Sequence, residues 1–391
     1  MTPTSNTVRG RLASLDILRG MDLFLLVILE PIIGRLGKVL SGPVWHAVAH
    51  QCHHVGWHGF VLWDIIMPLF MFMSGITIPF SMAKYKDGRA HPDKAFWTKL
   101  LRRFVLLWVL GMAVQGKLLT LDPVQFKWFS NTLQAIAVGY LATAILYVYG
   151  GLKLQIGAGV LCFAAYFAVF ALAGGMDTTP EGNIAMTIDK AVLGMHRDGV
   201  QFLEDGTWAF KEGYQYTWIL SSLNFIVTVL LGCLAGQILR RGPKDAAPAQ
   251  DGLPAPSGRN AATLAIVGAA LVAAGLLLDP VFPIIKKIWS SSMTLYSGGI
   301  CCLAMALVYW WVDVRGHSRG LNWLKVLGMN SIAAYCISHI FSFTSVTTSV
   351  LYGLKHIVGD PWYGVIIACA NALVLWFILR YMYKKGIFLK V

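Results

Sequence analysis

The chain has 391 residues, of which 57% are hydrophobic and only 13% charged, and its mean hydropathy is +0.62. Ordinary soluble domains carry roughly 25% charged residues, so this composition excludes a soluble globular protein and indicates an integral membrane protein. The formal net charge of +13 needs its own explanation, because basic residues serve both nucleic-acid binding and membrane orientation.

Apolar runs of about 20 residues, long enough to cross a hydrocarbon core of ~30 Å, recur along the whole chain. The sequence predicts about ten spans. They cover residues 15–35, 59–82, 97–116, 131–150, 155–175, 218–239, 261–281, 290–312, 326–345 and 363–381. The predicted fold class is therefore an all-α polytopic membrane protein with a single domain over residues 1–391. The first span carries acids and bases and lacks a small-x-small site after it, so we do not expect a cleavable signal peptide.

Lysines and arginines predict the orientation. With the N-terminus in the cytoplasm, 21 of the 32 basic residues fall on the cytoplasmic side, 10 fall on the opposite side, and Arg19 lies within the first span. This bias predicts that both termini are cytoplasmic. The net charge then reflects topology, and we expect no nucleic-acid partner. The expected location is a bacterial cytoplasmic (inner) membrane, with membrane lipid around the chain.

The first span is unusual because ionisable groups inside a membrane are costly. Asp16, Arg19 and Asp22 are three residues apart, so one helical face presents an acid–base–acid stripe. The stripe fits either a self-neutralised charge cluster or an anchor for an anionic cytoplasmic ligand, with Arg19 on phosphate. Glu30 lies near the outer end, with Arg35 as the nearest basic residue. It is either an interfacial acid or a carboxylate beside the histidines that follow.

Five of the ten histidines lie in the connection to the second span: His46, His50, His53, His54 and His58. Histidine exchanges a proton near neutral pH, and this connection lies on the outer side of the predicted topology. The i, i+4 pairs among them could bind zinc, but no cysteine pair accompanies them, so we expect no metal. A general base or a transient acyl acceptor needs only one histidine and a carboxylate that orients it.

Polar side chains in later spans predict a cavity through the bundle. Asp64 lies about one turn into the second span, ten residues beyond His54, and Pro68 follows it. Spans four, six and nine add Asn131, Gln134, Asn224, Asn330 and His339. A single such residue would join two helices, whereas all of them together indicate a polar cavity.

Two features concern organisation. The Pro/Ala/Gly-rich stretch 242–258 predicts a flexible cytoplasmic linker. Gly232 and Gly236 form a G-x-x-x-G spacing, which marks either the face of a homodimer or a tight internal contact.

Two motifs resemble those of a known family. The segment Arg11-Leu-Ala-Ser14-Leu-Asp16-Ile-Leu-Arg19-Gly20 is similar to the R-x-x-S-x-D-x-x-R-G opening of the heparan-α-glucosaminide N-acetyltransferase family and its bacterial relatives. The segment from His54 to Gly75 is similar to that family's H-x-x-W-x-G-x-x-x-x-D-x-x-x-P-x-F-x-F-x-x-G. Later similarities follow in the same order: Leu133-Gln134, Asn224, Val312-Asp313-Val-Arg-Gly316, Gly328-Met329-Asn330-Ser331 with His339, and Tyr383-Lys384-Lys385-Gly-Ile-Phe388.

The resemblance implies transmembrane acyl transfer. Acetyl-CoA would be the donor on the cytoplasmic side, a terminal amino sugar on the lumenal or outer side would be the acceptor, and His54 would be the active-site histidine. The family often has Asn where Glu30 stands and Leu-Gln-Arg-Leu where this chain has Leu133-Gln134-Ala135-Ile136. These departures leave the acceptor, and N- versus O-transfer, open.

The sequence thus predicts an acyltransferase that moves an acetyl or other acyl group from cytoplasmic acyl-CoA to an outer-face amino sugar or glycan. The predicted catalytic residues are His54, Glu30 and Asp64, with Glu30 or Asp64 orienting the imidazole. The predicted donor-binding residues are Arg19, Gln134, Asn330 and His339, with Arg102 and Arg103 as further phosphate ligands. The alternatives are a secondary transporter with an intramembrane charge relay and a zinc-dependent membrane hydrolase.

Overall fold

The computed structural model describes residues 12–115, 126–241 and 255–389. These residues are mostly helical, as predicted, with one antiparallel hairpin, β1 (Val200–Phe202) and β2 (Trp208–Phe210), in which Val200 lies opposite Phe210. Most of the predicted linker at 242–258 falls outside the described residues.

Seventeen α-helices are assigned within the described ranges. They are α1 (Ala13–Leu23), α2 (Glu30–Leu36), α3 (Pro43–Gln51), α4 (Ile66–Ser81), α5 (Ala83–Lys86), α6 (Lys94–Val114), α7 (Thr132–Tyr149), α8 (Leu152–Ala173), α9 (Ile184–Leu193), α10 (Ser222–Leu239), α11 (Gly258–Leu278), α12 (Ser291–Tyr309), α13 (Asn322–Met329), α14 (Ser331–Ile340), α15 (Thr344–Leu351), α16 (Lys355–Val358) and α17 (Asp360–Lys384). A π-helical segment, Phe24–Leu29, joins α1 to α2, and a 3₁₀ turn, Leu62–Ile65, precedes α4.

Seven helices of the described chain are long and apolar enough to cross a membrane, by length and composition. They are Leu62–Ser81, Thr132–Tyr149, Leu152–Ala173, Ser222–Leu239, Gly258–Leu278, Ser291–Val314 and Asp360–Lys384, and each overlaps a predicted span. The other three predicted spans differ for physical reasons. The first predicted span, which is α1, the π-helical segment and α2, carries several charges, and so does α6. The ninth predicted span is divided at Asn330 into α13 and α14. A count of ten spans therefore stays a prediction, as does the orientation.

Helix α4 lies at the centre of the bundle. In its most apolar 18-residue window, 78% of the residues are buried, against 17% for α8, 22% for α11 and 28% for α17, which therefore lie at the periphery. Small residues allow α4 and α10 to pack at backbone contact. A Cβ atom on Gly232 would stand 1.9 Å from the carbonyl oxygen of Phe72, and one on Gly236 would stand 2.6 Å from that of Ile76. The G-x-x-x-G spacing is thus an internal contact, in which only glycine fits at this separation.

Candidate active site

Two connections on the same side of the bundle are joined through their backbones. The histidine-rich connection before α4 meets the connection between α11 and α12, residues 279–290. The Gly59 amide donates to the Ile284 carbonyl at 2.9 Å, and His58 forms an isolated antiparallel bridge with Ile285. This pairing brings Lys286 next to His54, although 232 positions separate them in sequence.

His54, Asp64 and Lys286 form a compact cluster of three ionisable side chains. His54 Nδ1 lies 2.7 Å from Asp64 Oδ1. The Lys286 ammonium lies 3.3 Å from the same carboxylate oxygen, 3.1 Å from His54 Nδ1 and 3.5 Å from His54 Nε2. Because a carboxylate only accepts, Nδ1 carries the proton of the His54–Asp64 hydrogen bond, and Nε2 is then the ring nitrogen whose lone pair can act as a base, with the Lys286 ammonium 3.5 Å away.

Burial differs sharply across this cluster. The side chain of Asp64 is fully buried, that of Lys286 is 8% exposed and that of His54 is 42% exposed. The second carboxylate oxygen, Oδ2, accepts from the Val61 amide at 3.1 Å, which fixes the carboxylate plane. Asp64 and Lys286 contact the imidazole on its buried side, and its exposed side is accessible to a substrate.

Lys286 lies outside the seven candidate spans, on a connection that is held firmly in place. The hydroxyls of Tyr166 and Ser221 donate to the Ile288 carbonyl at 2.6 and 2.9 Å. Burial lowers the pKa of the Lys286 ammonium to about 8, because the charged form loses its hydration; the negative charge of Asp64 partly opposes this shift.

A cavity of about 380 Å³ opens over His54 and Lys286, and we call it the outer cavity. Its lining combines aromatic rings with polar side chains: Leu26, His54, Trp63, Ile66, Met67, Phe70, Val114, Gln115, Ser130, Asn131, Thr132, Asp198, Tyr214, Tyr216, Trp218, Lys286, Tyr335 and His339. Asp198 accepts from the Tyr214 hydroxyl at 2.7 Å. Flat rings beside hydrogen-bonding groups are what a polar ligand with apolar faces requires.

A second cavity, of about 560 Å³, lies further along the same helices, and we call it the inner cavity. Its lining includes the cationic side chains of Arg19 and Arg103, and Arg103 also packs its guanidinium 3.9 Å from the centre of the Tyr140 ring. The Arg103 Nε atom is buried without a hydrogen-bond partner among the described residues. Two guanidinium groups in one cavity suit a phosphate-bearing ligand.

The two cavities follow one face of α4. Met67 and Phe70 line the outer cavity, and Phe70, Ser74, Thr77 and Ser81 line the inner one. This spacing of three and four residues keeps the side chains on a single helical face, and the face from residue 67 to 81 is about 21 Å long. The cavities therefore lie end to end along the bundle.

Of the two carboxylates predicted to orient His54, Asp64 is the one that contacts it. Glu30 is exposed at the start of α2, and in the described ranges no hydrogen bond or ion pair joins it to His54. Its charge does reach the histidine connection, because it adds to the effect of burial in raising the pKa of the Cys52 thiol.

Two predicted donor-binding residues, Gln134 and Asn330, make structural contacts with the backbone. Gln134 is fully buried; its oxygen accepts from the Ser130 amide at 2.8 Å and its nitrogen donates to the Trp128 carbonyl at 2.7 Å. Asn330 holds the C-terminal tail, donating to the Ile387 carbonyl at 3.0 Å and accepting from the Leu389 amide at 3.2 Å.

Arg19 and His339 line different cavities, whereas the predicted phosphate ligand Arg102 is exposed and lines neither. Arg19 lines the inner cavity and lies 3.8 Å from Asp16, so the structure pairs two members of the predicted charge stripe, and a contact of Arg19 with a ligand stays a prediction. His339 lines the outer cavity rather than the inner one, with Nδ1 2.9 Å from the Tyr335 carbonyl.

The other histidines of the connection, His46, His50, His53 and His58, are exposed. In the described part of the chain, no group of three or more His, Cys, Asp or Glu residues could hold a metal ion.

Comparison with known proteins gives two findings. Residues 11–125 match a family described as a domain of unknown function, DUF5009. The chain is also similar to the heparan-alpha-glucosaminide N-acetyltransferase of Mus musculus, with 23% identity over 438 aligned positions that include 99% of this chain. It spans 62% of the length of that relative. This distant relationship to an N-acetyltransferase fits a general acyltransferase function.

Sequence reasoning missed Lys286, which was counted only as one of the basic residues on the outer side. A signal was present, because Ile284, Ile285 and Ile288 flank the Lys286–Lys287 pair, and a lysine beside so apolar a stretch is a candidate for burial.

Proposed function

We propose that the protein is a membrane acyltransferase that moves an acetyl group from acetyl-CoA in the inner cavity to an amino sugar or glycan in the outer cavity. The observation that carries this proposal is the His54–Asp64–Lys286 cluster at the wall of a cavity that continues toward two arginines. The predicted orientation supports a cytoplasmic entry for the donor, since it assigns the Arg19 and Arg103 end to that side.

His54 acts as the general base. Its Nε2 atom takes the proton from an N–H or O–H of the acceptor while the acceptor atom bonds to the acyl carbon. The carbon–sulfur bond of the thioester then breaks, and the proton on Nε2 passes to the coenzyme A thiolate. The acceptor loses one hydrogen and gains the acyl group, and coenzyme A leaves as the thiol.

Asp64 and Lys286 serve different steps of this transfer. Asp64 holds the Nδ1–H tautomer and stabilises the imidazolium that forms when Nε2 is protonated. The Lys286 ammonium, 3.5 Å from Nε2, is near enough to the reacting carbon to stabilise the oxyanion of the tetrahedral intermediate. An acyl group carried on Nε2 would use the same residues, and acid-quench labelling of the protein distinguishes that route from direct transfer.

The acceptor proposal relies on the lining of the outer cavity. Trp63, Trp218 and Tyr216 provide aromatic faces for a sugar ring, and Asp198 provides a carboxylate that accepts hydrogen bonds from sugar hydroxyls or from the N–H groups of a neutral amine. Buried Asp189 positions this wall, because its two oxygens accept from the amides of Trp218 and Ile219.

The test is turnover of radiolabelled acetyl-CoA with glucosamine by the purified protein in detergent. His54→Ala and Asp64→Asn should each lower the rate by about 10²-fold or more, the usual scale for a general base and its partner. The matched control is His46→Ala, which removes an exposed histidine of α3. If all three variants are equally impaired and a chelator abolishes the rate, a zinc-dependent hydrolase replaces this proposal.

A further inference from the structure

Among the residues that the structure describes, three line both cavities: Phe70, Thr132 and Tyr335. They come from three different helices, α4, α7 and α14. A side chain that faces both cavities lies at their junction, so these three residues surround the point where one cavity becomes the other. We call them the collar.

The order of the lining residues along each helix indicates that the three collar residues lie at the same depth in the bundle. On α4, Met67 faces the outer cavity and Ser74 the inner one, with Phe70 between them. On α14, His339 faces the outer cavity and Ile332 the inner one, with Tyr335 between them. The same change occurs on α7 at Thr132, between Asn131 and Leu133.

The collar is held in position by its neighbours. Asn131 donates through Nδ2 to the Tyr335 hydroxyl at 3.2 Å, and its own Oδ1 accepts from the Leu133 amide at 2.9 Å, which caps α7. The Tyr335 ring also lies against the His339 ring, with centroids 4.3 Å apart. Phe70 packs against two clusters of buried apolar side chains, one that contains Phe72 and one that contains Leu133. A ring anchored in this way cannot move aside cheaply for a wider group.

We propose that the collar selects the acyl donor, admitting a small unbranched acyl group such as acetyl to His54 and excluding branched and aromatic acyl groups. This inference rests on the proposed function. Phe70 is six residues beyond Asp64 on the same helical run, about 9 Å along its axis, so the thioester must enter the collar for its acyl carbon to approach His54. The rings of Phe70 and Tyr335 limit the width of the acyl group that passes the collar. The acceptor occupies the rest of the outer cavity.

The experiment compares kcat/KM for acetyl-CoA, isobutyryl-CoA and benzoyl-CoA in the purified full-length protein. Wild type should strongly prefer acetyl-CoA. Phe70→Ala and Tyr335→Ala should each raise the benzoyl-to-acetyl ratio by about tenfold or more, since removing a ring from a tight apolar site is worth at least that in discrimination. Phe70→Leu should raise the isobutyryl-to-acetyl ratio and disturbs packing less, so it keeps the test valid if Phe70→Ala does not fold.

The matched control is Phe80→Ala, which removes a ring from the inner cavity beyond the collar and should change all three rates by the same factor. Wild-type ratios in folded Phe70→Leu and Tyr335→Ala, or a wild type that uses benzoyl-CoA as well as acetyl-CoA, would overturn the collar while leaving acyl transfer intact. A wild type that uses none of the three donors would instead overturn the proposed function.

Discussion

The carboxylate of Asp64 is shared between an imidazole and an ammonium group, and that sharing defines the chemistry of the site. An isolated buried carboxylate is costly, and so is an isolated buried lysine. Here each offsets the desolvation of the other, while His54 remains 42% exposed toward the outer cavity. The contact between His54 and Asp64 could be predicted from the sequence, because the two residues are only ten positions apart. The position of Lys286 could not, because it depends on the contact between two distant connections.

The charge on Lys286 should set the alkaline limit of activity. Its ammonium is protonated below a pKa of about 8 and loses its charge above that value, so the rate should fall as the pH rises through about 8. Lys286→Met should lower kcat and abolish this alkaline limb. The measurement is a pH–rate profile at saturating acetyl-CoA.

The control for that profile is Lys287→Met, since Lys287 donates to Gln215 at 2.7 Å and belongs to a different contact. An alkaline limb that persists in Lys286→Met would show that another group controls it.

Substitutions of Glu30 and Asp64 should have very different effects on the rate of acyl transfer. Because Glu30 is exposed and Asp64 is fully buried against His54, Glu30→Gln should keep the rate within about twofold while Asp64→Asn should lower it by about 10²-fold or more. The measurements are the initial rates of the two variants and the acidic limbs of their pH–rate profiles. A large loss in Glu30→Gln with unchanged acetyl-CoA affinity would return Glu30 to the site.

At the scale of elements, glycine spacing decides which helices can approach. Gly20 and Gly328 bring α1 and α13 together: a Cβ on Gly20 would stand 1.9 Å from the Leu324 carbonyl oxygen, and one on Gly328 would stand 1.8 Å from that of Asp16. Positions of apolar helices could be predicted from the sequence, because hydropathy is a local property. Which helices contact one another could not, because the same glycine spacing fits a partner within the chain or a second copy.

The α4–α10 contact gives a stability prediction. Gly232→Ala should destabilise the protein by about 1–3 kcal/mol, the usual cost of overpacking, because the added Cβ meets the Phe72 carbonyl. Thermal unfolding in detergent measures it. The control is Gly157→Ala on α8, where a Cβ meets nothing within 4 Å. Equal unfolding temperatures for the two variants would show that α4 and α10 are not in close contact.

At the scale of the whole molecule, two cavities lie end to end through the bundle, one with arginines and one with the histidine cluster. Composition predicted a membrane protein, and intramembrane polar residues predicted a cavity. Of the polar residues predicted to form it, Asn131 and His339 line the outer cavity, whereas Gln134 and Asn330 bond to nearby backbone groups. A polar residue in a span signals a hydrogen bond, but its type does not say whether the partner is backbone or ligand.

The most direct test is transfer across a sealed membrane. Purified protein would be reconstituted into vesicles with glucosamine trapped inside, the orientation of the protein determined by protease access, and radiolabelled acetyl-CoA added outside. We predict that trapped glucosamine becomes acetylated only by molecules whose Arg19 and Arg103 end faces outward, and that His54→Ala abolishes this labelling. Labelling that requires both substrates on the same side of the membrane, or that survives in His54→Ala, would contradict this prediction.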